Sequence, residues 1–329
     1  MRESAVAAIG VDLGGTKLAA GLVAADGQVL YRSRRETPDD PEAILAAIVD
    51  VATEIEDRYA LDHPPVGVGI AAIVDGDGVA RYAPNLPLVD QPVLGELRKR
   101  LDRAALTVDN DANVAAWGEY RVGAGAGALS GLMLTVGTGV GGGLVLDGRL
   151  VRGAHGFAGE FGHIVVDEGG PQCACGNHGC LEALASGTAI GRVAQEALAA
   201  GAVPPDSALH RLDVVTGKAV TVAAQAGDQV AIELLARCGF WLGVGIASLV
   251  NALDPEIVIV GGGAIQAGQL LLEPARAAMV DRLTGSGHRP VPRVLPAQLG
   301  DDAGLVGAAL LALDCSRAER DVPEFAEKS

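Results

Sequence analysis

Aromatic side chains are scarce: Phe, Trp and Tyr make up 3% of the 329 residues. A channel that stacks nucleobases needs such rings, so that mode of nucleic-acid binding is disfavoured. Basic charge is short as well. Lys and Arg number 25 against 41 Asp and Glu, giving a formal net charge of −16. No basic field would gather a phosphate backbone, although a local site can still hold a Mg²⁺–nucleotide. The N-terminus lacks a signal-peptide layout, passing at once from Met1-Arg2-Glu3-Ser4 into the apolar stretch up to Asp12. No apolar run reads as long enough to span a bilayer, so no membrane partner is expected. Cysteine is sparse, at five residues. Three of them cluster and cannot pair off among themselves, which argues against a disulfide framework and for a reducing, cytoplasmic setting. No low-complexity linker divides the chain.

Glycine is abundant instead. It accounts for 46 of 329 residues, roughly twice the usual share, so many turns or close backbone approaches are expected. The hydrophobic fraction of 49% is that of a globular protein large enough for two domains.

The periodicity predicts strands over Ala5–Asp12, Leu18–Ala25 and Gln28–Arg35, joined by Gly14-Gly15 and then Asp26-Gly27. A helix over Pro41–Tyr59 follows. Further elements are a strand over Val66–Ile73, a helix over Pro92–Leu101, a strand over Leu106–Asp109 and a helix over Ala112–Arg121. The opening pattern then returns: strand Leu132–Val136, a glycine turn over 137–143, strand Leu144–Leu146, Asp147-Gly148, and strand Arg149–Arg152. One supersecondary unit occurring twice implies two similar α/β lobes with a ligand cleft between them. Helices are expected over Thr188–Ala200, over Gln229–Leu253 and, capped by Asp301 or Asp302, over Asp301–Leu313. Thr216 or Thr221 is expected to cap the helix before Gln229, and Glu256–Val260 and Val291–Pro296 read as strands. The expected division is a small lobe of 1–113 completed by helix 301–316, a large lobe of 114–300, and a frayed tail of 317–329.

Chemistry concentrates in six places. Cys173, Cys175 and Cys180, on a loop broken by Gly176 and Gly179, can aim three thiolates at one point. With one imidazole, from His163 or His178, they would form a closed structural zinc site. Glu160 and Glu182 stand at the two ends of this loop, where a metal knot would hold them firmly. Asp12-Leu13-Gly14-Gly15-Thr16-Lys17 lies between two strands, so it is neither a Walker A loop nor a Rossmann fingerprint, both of which open helices. Its backbone N–H groups suit phosphate, and Asp12 suits Mg²⁺ directly or through water. Thr138 and Gly139 offer the same from the second turn, and Gly262-Gly263 leave a strand end open to something flat, such as a nucleoside. Asn110-Asp111 ends a strand, the usual station for functional groups in α/β lobes. Asp111 is the candidate general base, although on local grounds alone a helix cap explains it better. Asn85, in a proline-pinned loop, offers an amide to a sugar hydroxyl or merely makes a turn.

Taken together, Asp-x-Gly-Gly-Thr-Lys at 12–17, the Asn-Asp-Ala-Asn run to 113, Gly-Thr-Gly-x-Gly-Gly-Gly at 137–143 and Gly-His followed by Cys-x-Cys-Gly-x-x-Gly-Cys-Leu-Glu at 162–182 resemble the signatures of the ROK family (repressors, open reading frames and sugar kinases), within it the bacterial glucokinases. The resemblance runs from about residue 5 to about residue 313. It implies an actin-like, ribonuclease-H-like two-lobed fold and phosphorylation of the glucose 6-hydroxyl by ATP with Mg²⁺. It implies zinc on His163, Cys173, Cys175 and Cys180, and sugar contacts from Asn85, Asn110, Asp111, Glu160, His163 and Glu182, with Asp111 as base. It implies nucleotide contacts around Asp12, Gly14, Gly15, Thr16, Lys17, Thr138, Gly139, Gly262 and Gly263, and a homodimer or homotetramer. The readings that compete are another acceptor (N-acetylmannosamine, fructose or allose), polyphosphate as donor, and a sugar-sensing regulator. The regulator would need a helix-turn-helix module, for which the eleven residues before Asp12 leave no room.

Overall fold

A computed structural model describes residues 7–101 and 105–320, with side chains to residue 317. The start of the first expected strand, and residues 321–329 of the expected tail, lie outside the described residues. The chain divides into two compact units. Among the described residues the first comprises 7–127, 150–158 and 301–320, and the second 128–149 and 159–300. This differs from the sequence-based division over 114–127 and 150–158.

The first unit is built on β1 (Ala7–Leu13), β2 (Lys17–Ala24) and β3 (Val29–Glu36), then α1 (Pro41–Tyr59) and β4 (Val66–Ile70). A short pair, β5 (Ile73–Val74) with β6 (Ala80–Tyr82), precedes α2 (Val93–Leu101), β7 (Leu106–Asn110) and α3 (Asp111–Val122). The expected strand over Val66–Ile73 therefore breaks at Ala71-Ala72, whose N–H groups turn back to Leu13 and Ile70 carbonyls. The sheet order is β3-β2-β1-β4-β7, with β1–β2 and β2–β3 antiparallel and β1–β4 and β4–β7 parallel.

The second unit repeats this order with β8 (Gly131–Val136), β9 (Val140–Leu146), β10 (Arg149–Leu150), β11 (Ile257–Gly261) and β12 (Arg293–Pro296). Its helices are α4 (Leu181–Ala185), α5 (Gly187–Ala199), α6 (Gly217–Gln225), α7 (Gln229–Leu253) and α8 (Gln269–Val280). Two expectations are corrected here. The glycine turn is confined to 137–139, because Gly141, Gly142 and Gly143 pair with Thr135, Leu134 and Met133 inside the sheet. Gly142 has no room for a Cβ, which would overlap the Phe161 ring. The third strand, in turn, ends at Leu150.

α7 is, by length and composition, apolar enough to cross a membrane, which amends the expectation drawn from uninterrupted runs. Half of its most apolar stretch is buried, and α4, α6 and α8 pack on it. Cβ atoms at Gly239 or Gly243 would overlap the carbonyls of Leu271 and Ala275, so α7 and α8 approach backbone to backbone.

The last helix, α9 (Ala303–Arg320), belongs to the first unit and packs on α3, β1 and β4. Asp302, one of the two expected caps, accepts from Arg32 instead, Nη2 to Oδ2 at 2.6 Å. Glycine again sets the spacing. A Cβ at Gly10 would overlap the Leu305 carbonyl oxygen, and one at Gly67 the Ala308 oxygen. At these positions glycine serves helix seating. Gly67→Ala is expected to cost about 1–3 kcal/mol through overpacking, seen as a lowered thermal midpoint. An unchanged midpoint would mean that α9 is not seated as described.

Candidate active site

In the first unit the parallel strands β1, β4 and β7 end side by side. Asp12 pairs in register with Gly69, and Gly69 with Asp109. Functional groups therefore gather at the carboxyl edge of the sheet, as α/β architecture favours. The Gly14-Gly15 turn is closed by the Gly14 N–H on the Lys17 carbonyl at 2.9 Å. A Cβ at Gly15 would come within 2.8 Å of the Asn85 Cβ and carbonyl oxygen, so the Asn85 loop lies directly on this turn. Asn85 and Thr16 are themselves exposed.

Burial pushes the Asp12 carboxyl up to about 6, opposed by Lys17. Gly304, in the first turn of α9, has no room for a Cβ because the Asp12 carboxylate occupies that space. The folded-state value lies above the unfolded one. The stability this group contributes is therefore present below about pH 4 and is lost as pH rises through about 6. Asp12→Asn stays neutral, so in metal-free buffer it should unfold later than the parent above pH 6, by on the order of 3 kcal/mol at most. The gain should shrink towards pH 4. A gain independent of pH would contradict the assigned burial.

Asn110, not Asp111, caps α3. Its Oδ1 accepts from the Ala112 and Asn113 N–H groups at 2.9 and 3.1 Å, and its Nδ2 donates to the Ala72 carbonyl at 3.0 Å. Asp111 is the first residue of the helix, with its Oδ1 taking the Ala112 N–H at 2.8 Å. The purely structural explanation of Asp111 as the cap is thereby weakened.

In the second unit the metal-ligand candidates converge. His163, Cys173, Cys175 and Cys180 place one donor atom each within 4.8 Å of one another. His163 Nδ1 lies 3.7 Å from Cys173 Sγ, and Cys175 Sγ lies 3.6 Å from Cys180 Sγ. His178 is exposed and turned to the Gly170 carbonyl instead. Three sulfurs and one imidazole at this spacing are compatible with a tetrahedral structural zinc. Burial pushes the Cys180 thiol up to about 12 and raises Cys173 as well; a dication held by the four donors would offset that penalty.

The other ring nitrogen of His163 points the opposite way, with Nε2 3.9 Å from Glu160 Oε2. Glu160 is exposed, yet its partial desolvation raises its carboxyl, with His163 opposing and Glu182 adding to the shift. Glu182, in the first turn of α4, accepts the Val140 N–H through Oε2 at 2.9 Å. A Cβ at Gly139 would overlap the same oxygen. The cysteine loop is thus joined to the glycine turn 137–139.

That turn opens onto a cavity of about 640 Å³, lined among others by Gly137, Thr138, Gly187, Thr216, Lys218 and Gly263. The N-termini of α5 and α6 both reach it. Ser186 caps α5 and Thr216 caps α6, accepting from the Ala189 and Ala219 N–H groups at 3.1 and 3.2 Å. Helix N-termini with free N–H groups favour anions. The turn is clamped to α5 by the Gly187 N–H on the Gly137 carbonyl at 2.7 Å and by Thr188 Oγ1 on the Thr138 carbonyl at 2.8 Å. Thr138 and Gly263 therefore line the cavity. Gly139 lies against Glu182 instead, and Gly262, at φ +80°, against the Val136 carbonyl. The α5 and α6 lining, Lys218 included, escaped the sequence reading; the Thr216 cap was its only signal.

A chain with this pair of matching sheets and this cysteine loop belongs to the ROK family, whose model matches residues 8–315. Within it, the chain is 41% identical over 312 residues to a glucokinase of Streptomyces coelicolor, covering 92% of this chain and 96% of that protein. A glucokinase of Thermotoga maritima is 37% identical over 315 residues, with 92% and 95% covered. The crystal structure of a ROK family glucokinase from Streptomyces griseus, in complex with glucose and AMPPNP, superposes with a TM-score of 0.79 at 40% identity, covering 94% and 99% of the two chains.

Proposed function

We propose that this protein is an ATP-dependent glucokinase that phosphorylates the 6-hydroxyl of glucose. The observation that carries this reading is the bond from the Val140 N–H to Glu182. It joins a sugar-type acid to the turn bordering a nucleotide-sized, anion-favouring cavity. The relatives named glucokinase support the same reading.

The residue roles follow from chemistry. Glu160, His163 and Glu182 are assigned to sugar hydroxyls, which both donate and accept. Asn85 and Asn110 supply amides, and Asp111 takes the proton of the attacking hydroxyl. Gly14, Gly15, Thr16 and Lys17, with Thr138, are assigned to phosphate oxygens, and Gly263 to the nucleoside end. Asp12 would hold Mg²⁺, directly or through water, and that ion would neutralise charge developing on the transferring phosphoryl group. His163, Cys173, Cys175 and Cys180 would hold zinc, whose part is to stiffen the loop. A homodimer or homotetramer in the cytoplasm fits the family resemblance and the reduced thiols.

Initial rates with a panel of hexoses and ATP-Mg²⁺, read by coupled ADP release, test this. Glucose is expected to give the highest kcat/KM. A preference for N-acetylmannosamine, fructose or allose would overturn the acceptor, and faster turnover with polyphosphate would overturn the donor.

A further inference from the structure

Asp109 sits directly before the proposed base-bearing turn and is 4% exposed. An acid this deeply buried needs donors at both oxygens. Oδ1 accepts the Asn110 N–H at 2.8 Å and Asn113 Nδ2 at 3.0 Å. Oδ2 accepts Arg152 Nε at 2.6 Å. Asn113 is buried too, at 1% exposure, and its Oδ1 has no partner among the described residues. Turning the amide over would give Oδ1 nothing and would set an oxygen against Asp109. The Asn113 amide is thus held in a costly orientation for the sake of this carboxylate.

Arg152 lies outside the element it contacts. It belongs to the segment 150–158, and its own carbonyl accepts the Ala158 N–H at 3.0 Å. The mechanism assigned above does not use it, and its guanidinium is partly exposed, with a side-chain exposure of 38%.

We infer that Arg152 is a positioning residue for Asp111. It fixes the Asp109 carboxylate, which in turn fixes the Asn110 N–H and the first turn of α3, and so the direction of the Asp111 side chain. This rests on the reading of Asp111 as the base. Without Arg152 the Oδ2 of Asp109 would be left without its charged donor, and the carboxylate would rotate to find water. The Asn110-Asp111 backbone would move with it. A displacement of about 1 Å of a catalytic group can cost on the order of a hundredfold in rate.

The test is a double-mutant cycle on kcat with Arg152→Met, Asp109→Asn and the two combined, in the full chain with glucose and ATP-Mg²⁺. Arg152→Met is expected to lower kcat roughly tenfold to a hundredfold. The KM for ATP should not move, because neither Arg152 nor Asp109 lines the cavity or belongs to the turn assigned to the nucleotide. The double variant should be no slower than the worse single one, since both break one relay. Arg152→Lys, which keeps a donor, should recover most of the rate and guards against a misfolded Met variant. Parental kcat in Arg152→Met overturns the inference, as does a lowered thermal midpoint at unchanged kcat, which would make the ion pair merely structural. Fully multiplicative effects in the double variant overturn the relay through Asp109. Absence of glucose phosphorylation by the parent protein would instead overturn the glucokinase reading itself.

Discussion

Asp111→Asn is expected to lower kcat by roughly 10²–10⁴ while the protein stays folded and still binds glucose. The loss follows from the proton. A hydroxyl attacking a phosphoryl group must release one, and an amide at this position cannot take it. The survival of the fold follows from the division of labour at the start of α3. Asn110 supplies the cap and the link to the Ala72 carbonyl, so the helix does not depend on the Asp111 carboxylate for its end. Asn can keep the short contact to the Ala112 N–H through its own carbonyl. The measurement is kcat and glucose KM side by side, with a melting curve. Unchanged turnover removes Asp111 from the chemistry, and a collapsed melting curve would return it to a structural role.

The second large effect is expected at the metal loop. Cys175→Ala should lose bound zinc, read by elemental mass spectrometry, and raise the glucose KM about 10- to 100-fold, the usual cost of losing support around a site. Cys175 is exposed, so its truncation leaves no core cavity. Its loss acts through geometry. His163 turns Nδ1 to Cys173 and Nε2 to Glu160, so freeing the imidazole frees the acid beside it. Cys180 immediately precedes α4, whose first turn carries Glu182. A metal-free variant with the parental glucose KM would sever the loop from sugar binding.

Much of this was readable from residues alone, and the exceptions share a cause. The doubled motif of strand, glycine turn, strand and Asp-Gly gave two sheets of identical strand order. The cysteine spacing gave the cluster, and family resemblance chose His163 over His178, as the geometry does. Gly141–Gly143 misled because a glycine run looks like a loop. The Phe161 ring, brought in from nineteen residues away, explains why Gly142 is glycine. α8 went unread because Pro274 interrupts its pattern, yet the helix continues through it. The cavity lining from α5 and α6 was missed because its residues come together only in three dimensions. Asn110, expected to contact the sugar, is seen capping α3, a role its position before Asp111 does not announce.

The most direct test is the position of the transferred phosphate. Phosphorus NMR of the product formed from glucose and ATP-Mg²⁺ should show an ester coupled to the protons on carbon 6, with one ADP released per ester. An ester at carbon 1, or ADP release that does not depend on glucose, would contradict the chemistry assigned to Asp111 and its neighbours.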